Sequence, residues 1–252
     1  TINMKQEARN EVTKKESNLP TSSLFIKDAG QGLENMDKDD LALPFLKLLQ
    51  TSSDETKKKH ASYVEGAEPG MFYNTVSKKL YDGVKGIEVV PCYYRLAFPE
   101  WAPFERKEGR PISVDRGPEI LSQTKQEGNK DILPNGNIII RTANHFVIIN
   151  GDRPEKALMA MKSTQLKVSR QWNSNIKDEF EVSEGKTYPA PSYSRIYTLK
   201  SVEITGNFTW YGYSVKLLKK VKELAMIGIR FILEFLGSGG GKIKSSGLEL
   251  FG

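Results

Sequence analysis

Cysteine and histidine are almost missing: the 252 residues hold one cysteine, Cys92, and two histidines, His60 and His145. A single thiol forms no intramolecular disulfide, and this set matches no zinc-ligand spacing, so disulfide scaffolds and zinc modules are excluded. No nucleophile elbow or His-Asp-Ser order is present either. The segment LGSGGGKI has Leu236 where a phosphate loop needs glycine and Ile243 where it needs Ser or Thr. Asp37, Asp39 and Asp40 suit the positive end of a helix better than a metal cluster. The expectation is a protein without catalytic residues, metal or cofactor.

Long apolar runs are missing as well. The longest, LAMIGIRFILEFLG at 224–237, is interrupted by Arg230 and Glu234 and is shorter than the ~18–20 residues a bilayer span needs. No membrane partner is expected. The first twenty residues contain no apolar signal segment, so the chain reads as intracellular.

Negative charge is the third scarcity. Lys and Arg outnumber Asp and Glu by 37 to 31, giving a formal charge of +6 and a pI near 9.1. Such a surface attracts polyanions over a Debye length. The bias is concentrated: no Asp or Glu occurs from Ala157 to Lys177, in ALMAMKSTQLKVSRQWNSNIK.

The distribution of the remaining residues predicts three parts. Residues 1–34, polar and poor in apolar side chains, are expected to be a mobile arm. Residues 35–217 form the domain, with 99–136 as a loop insertion carrying five prolines. Residues 218–252 are expected to start as a helix and end as a flexible tail. Within the domain, DKDDLALPFLKLLQ (37–50) reads as a short helix start that Pro44 breaks or resets. The segment 68–98 reads as two strands, of which 87–98 is the clearest. NIIIRT, HFVIIN and KALMAMK read as strands, 164–177 as a helix, and SRIYTLKSVEIT and FTWYGYSVKLL as a hairpin turning at Gly206-Asn207. A helix between the third and fourth of five strands is the plan of an OB-type Greek-key barrel. The predicted fold class is therefore mainly β with helices: an OB-like barrel with an extra N-terminal strand region and a C-terminal helix.

Stepping ~100° per residue from an N-cap at Ser163 or Thr164 puts Val168, Trp172 and Ile176 on one stripe. Lys167, Arg170, Ser174 and Lys177 fall opposite, and Lys162 at the end of the preceding strand extends the row. An ordinary solvated face gives the same spacing; the missing acids favour phosphates.

A second constellation, YYRLAFPEWAPFERKEGR, interleaves Tyr93, Tyr94, Phe98, Trp101 and Phe104 with Arg95, Arg106, Lys107 and Arg110. Rings for bases and cations for phosphates are what a single strand requires. Strand alternation assigns Tyr93 or Tyr94, and Phe98, to a core, whereas Trp101 and Phe104 lie past the strand. In NFTWYGYSVK only one of the pairs Phe208/Trp210 and Tyr211/Tyr213 can face the core.

Taken in order, DDLALPFLKLLQ, EPGMFYNTVSKKLYDG, KGIEVVPCYY, MKSTQLKVSRQWN and SRIYTLKSVEITGNFTWYGYSVKL resemble a bacteriophage family of early-gene, single-stranded DNA-binding proteins. The resemblance spans roughly residues 32–217. It implies an OB-like protein that coats strands in replication or recombination, in the cytoplasm of the infected host. It also implies DNA contacts at Lys162, Gln165, Lys167 and Arg170. The chain departs from strand-coating proteins by ending GGKIKSSGLELFG, with a single Glu249 in place of an acidic tail that recruits replication or recombination proteins. The expected function is thus sequence-independent binding of single-stranded DNA. The alternative is a phage structural, assembly or protein-interaction role, with a homo-oligomer formed through the C-terminal helix.

Overall fold

Strands dominate, as the sequence predicts. In chain order they are β1 (Leu46–Leu48), β2 (Phe72–Asn74), β3 (Leu80–Tyr81), β4 (Ile87–Ala97), β5 (Glu100–Trp101), β6 (Lys125–Glu127) and β7 (Lys130–Ile132). There follow β8 (Ile138–Ile139), β9 (Thr142–Asn150), β10 (Glu155–Lys162), the helix α1 (Gln165–Lys177), β11 (Phe180–Ser183), β12 (Lys186–Pro189), β13 (Arg195–Thr205) and β14 (Thr209–Lys220). The computed structural model describes residues 42–103, 109–128 and 130–221. The expected arm at 1–34 and the tail beyond Val221 lie outside the described residues.

The five long strands form one antiparallel sheet in the order β10-β9-β4-β13-β14. Period-2 alternation divides it into two faces. Val89, Ala143, Val147, Ile149, Ala157, Met159, Met161, Tyr197, Leu199 and Tyr213 form the main core with Leu46, Phe72 and Trp172. We call this the inner face. Val90, Cys92, Ile148 and Ile196 form a smaller cluster on the outer face. Tyr213 thus decides the aromatic choice in the last strand: its ring stacks on Phe72 with centroids 6.0 Å apart, whereas Phe208 is 82% exposed.

The helix α1 covers the inner face with the predicted stripe. Trp172 is buried, Val168 and Ile176 pack on the same core, and Lys167, Arg170, Ser174 and Lys177 are exposed. Its N-cap, Thr164, makes no side-chain capping bond.

Among the described residues no ladder joins the edge strands β10 and β14, so the sheet stays open and the expected barrel closure is not found. Other groups span the gap. Phe45 bridges Leu158 in parallel, and the Leu158 N–H donates to the Pro44 carbonyl at 2.7 Å. At the other edge the Gln50 carboxamide accepts from the Tyr211 N–H at 2.8 Å and donates to the Tyr211 carbonyl at 3.0 Å. β1 belongs to a separate three-stranded sheet, β1-β2-β3. The loop after β3 passes so close to the turn before β2 and to β13 that only glycine fits: a Cβ on Gly83 would lie 1.9 Å from the Gly70 carbonyl oxygen and 2.7 Å from the Ser201 Cβ. The Gly83 carbonyl in turn accepts from the Ser201 N–H at 2.8 Å.

Three segments differ from the sequence reading, which assigns no element to a fourth. Residues 46–48 are a strand, not a helix start, because this stretch pairs with β2 while Pro44, lacking an N–H, offers its carbonyl to β10. The insertion at 99–136 is not an irregular loop: a four-stranded sheet, β5-β8-β7-β6, is built around Phe98, Leu133 and Ile139. Leu218, Lys219 and Lys220 continue β14 instead of opening a helix. Finally, β11 and β12 form a hairpin whose turn residues Glu184 and Gly185 both have positive φ, at 51° and 74°. Arg195, 5% exposed, ties that hairpin down through Glu179 at 2.8 Å and Glu181 at 2.5 Å.

Candidate nucleic-acid interface

The junction of β10 and α1 is a sharp turn at Ser163, which takes a left-handed φ of 49°. It leaves Lys162 on the sheet and carries Lys167, Arg170 and Lys177 onto the outward side of the helix. Among the described residues none of these four cations has a carboxylate within 4.0 Å. Gln165 is engaged instead: its carboxamide oxygen accepts from the Tyr213 N–H at 2.9 Å and staples the helix start to β14.

The cross-strand register builds the outer face in rows. Lys162 opposes Thr142, which opposes Ala97. The next row is Ala160, Asn144 and Arg95, and the one after it Leu158, Phe146 and Tyr93. Tyr93 is 49% exposed, and its ring lies 5.6 Å from that of Phe146 at 51°. Lys156, beyond this row, is partly buried and its amine is pushed below the usual lysine value by burial. The outer face of β4, β9 and β10 therefore carries a ring pair framed by cations.

The two predicted constellations meet at one point. The Lys162 Nζ sits 4.7 Å from the centroid of the Trp101 ring, supplied by β5 at the base of the inserted sheet. Arg95 shares the face, but its guanidinium is bound to Asp115 at 2.5 Å. Burial alone would raise the Asp115 carboxyl; N–H bonds from Phe98 and Gly117, with Arg95, hold it below its ordinary value. Part of the Arg95 charge is thereby spent within the protein. Lys167, Arg170 and Lys177 stand apart, on the helix that covers the opposite face of the sheet. Phe104, Arg106 and Lys107 lie outside the described residues.

Sequence reasoning missed Phe146 and Asn144. The alternation in NHFVIIN could have found them, because His145 and Val147 face inward and their neighbours must face out. His145 is itself a core residue. Its Nε2 lies 2.7 Å from the Ser169 Oγ, its ring stacks on Trp172 at 4.5 Å, and burial holds its pKa down at about 4. Both partners are 1% exposed, so this serine-histidine pair is sealed from any substrate.

Among the described residues no helix is long and apolar enough to cross a membrane. No group of three or more His, Cys, Asp or Glu there could hold a metal ion. No curated protein and no solved structure matches the chain. The model of the Pam3 phage gp34-like protein family matches residues 13–233, most of the chain, and the protein belongs to that phage family.

Proposed function

We propose that this phage protein binds single-stranded DNA, without sequence selection, across the outer face of β4, β9 and β10, during replication or recombination. The observation that carries the reading is the ring pair of exposed Tyr93 and half-buried Phe146 on the outer sheet face, with Lys162 and Arg95 on the rows beside it. Rings stack on unpaired bases of any identity, and ammonium groups neutralise phosphates, so the pairing tolerates sequence and excludes a closed duplex. The architecture supports it: numbering the five long strands in chain order gives the sheet order 3-2-1-4-5, with α1 between the third and fourth. An OB-type barrel likewise carries its helix between the third and fourth strands, and its ligand surface is the face of the second and third. Those strands here are β9 and β10. The cations of α1 serve as a further attractive field for the phosphate chain, away from the bases.

The test is a fluorescence-anisotropy titration of labelled oligo-dT at two salt concentrations, beside a duplex of equal length. Saturable binding that favours the single strand and weakens with salt is expected. Tyr93→Ala should lose about 1–3 kcal/mol of binding, roughly 5- to 150-fold. Absence of binding at low salt would overturn the proposal.

A second reading, protein interaction or assembly as an oligomer, is favoured by one feature. The hairpin of β11 and β12 is anchored by Arg195 yet leaves Phe180 at 52%, Val182 at 73% and Tyr188 at 49% exposure. On that reading light scattering shows an oligomer and the titration is flat.

A further inference from the structure

Among the described residues, neither the half-buried Lys162 ammonium nor the buried Trp101 indole N–H has a hydrogen-bond acceptor. The ammonium lies over the ring face at 4.7 Å from the centroid, and no carboxylate among the described residues is within 4.0 Å of it. A ring face attracts a cation but accepts none of its three protons as an oxygen would. The indole Nε1 is buried and has no partner among the described residues. Burial pushes the lysine amine below its usual value, the signature of a charge that has lost water and gained no compensating anion.

The neighbouring cations are different. Arg95, one row along the sheet, holds Asp115; Arg141, beside Thr142, holds Asp131 at 3.2 Å; Arg116 holds Glu100 next to Trp101. Among the described residues the fold thus supplies carboxylates to three arginines around this point and none to Lys162. A ring face already occupied by an ammonium is also a poor platform for a base, so on this reading Trp101 serves the phosphate instead of a base.

We propose that Lys162 and Trp101 form a subsite for a phosphate oxygen, the ammonium providing charge and the indole N–H a directed donor. For the anion to meet both donors, the ammonium has to leave the ring face and the Trp101 side chain has to turn its buried N–H outward. Four residues along the strands, about 13 Å away, the Tyr93–Phe146 row receives a base of the same strand. The subsite rests on the strand-binding reading only for the source of its phosphate, a phosphodiester chain rather than a free anion.

The test follows the Trp101 indole N–H by nitrogen-15 NMR in the full chain, its signal identified with Trp101→Phe. Oligo-dT and inorganic phosphate are added in separate titrations. The expected result is a downfield movement of this signal with oligo-dT, and its loss in Lys162→Gln. The same variant should reduce the salt slope of oligo-dT binding by about one, as for one lost phosphate contact. If oligo-dT binds while the signal stays still and the slope is unchanged, the subsite is wrong and the strand-binding reading stands. If oligo-dT fails to bind but inorganic phosphate moves the signal, the subsite stands and the reading falls. If oligo-dT fails to bind and neither ligand moves the signal, both are overturned.

Discussion

Trp172→Ala is expected to remove about 3–5 kcal/mol of folding stability, the largest loss from any single truncation considered for this protein. The side chain is 1% exposed and sits where α1 meets the sheet, its ring stacked on His145 at 4.5 Å and set edge-on to Tyr197 at 5.7 Å. Removing it leaves a void bounded by strands that are held by their ladders and cannot collapse inward, so both transfer and cavity terms apply. The indole Nε1 has no hydrogen-bond partner among the described residues, so no polar interaction with them is lost. Trp172→Phe, which keeps a ring on the stack, should therefore recover more than half of the loss. Urea unfolding of the two variants measures this; an alanine variant within 1 kcal/mol of the parent would mean that α1 is not locked onto the inner face.

Acidification supplies the second large effect. His145 is buried as the neutral imidazole, with a folded pKa of about 4 against an ordinary value of 6.5. Because the folded value is depressed, the unfolded chain binds the proton more readily. The contribution is complete above pH 6.5 and is lost progressively as pH falls through 6.5 towards 4. A shift of that size corresponds to about 3 kcal/mol. His145→Phe should start less stable at neutral pH, since the Ser169 hydroxyl loses its partner at 2.7 Å, but its stability should change little between pH 6.5 and 5. Carboxylates such as Glu100, held below its ordinary value by Asn137 and Arg116, enter only at lower pH. Denaturant midpoints at closely spaced pH values separate the two sources. A parent protein as stable at pH 4.5 as at pH 7 would contradict the buried, neutral assignment.

The long, strictly periodic elements were legible in the sequence because one face of each is buried by the elements it meets. Ile87–Ala97, Thr142–Asn150, Glu155–Lys162 and the stripe of Trp172 on α1 are of this kind. The inserted sheet was not legible, since its strands are two or three residues long and its core among the described residues is Phe98, Leu133 and Ile139 with two partners. The ring pair was hidden for a sharper reason. The register of β4 against β9 shifts between Pro91 and Tyr93, a bulge at Cys92 that reverses the faces of every following residue. Strict alternation from Val89 would turn Tyr93 inward; the bulge turns it out beside Phe146 and turns Tyr94 in, where its ring meets His145 at 5.1 Å. A one-residue register change leaves no mark on composition or period. The contact of Lys162 with Trp101 was equally invisible, because it joins residues 61 positions apart through the pairing of β4 with β9 and β9 with β10.

Photocrosslinking with an oligo-dT carrying 5-iodouracil, read by mass spectrometry of the crosslinked peptides, bears most directly on the outer sheet face as the strand-binding surface. Halogenated bases couple to the aromatic side chains they stack on. Crosslinks at Tyr93 and Phe146 are the predicted result. Crosslinks confined to α1 or to the β11–β12 hairpin, with Tyr93 and Phe146 unmodified, would contradict it.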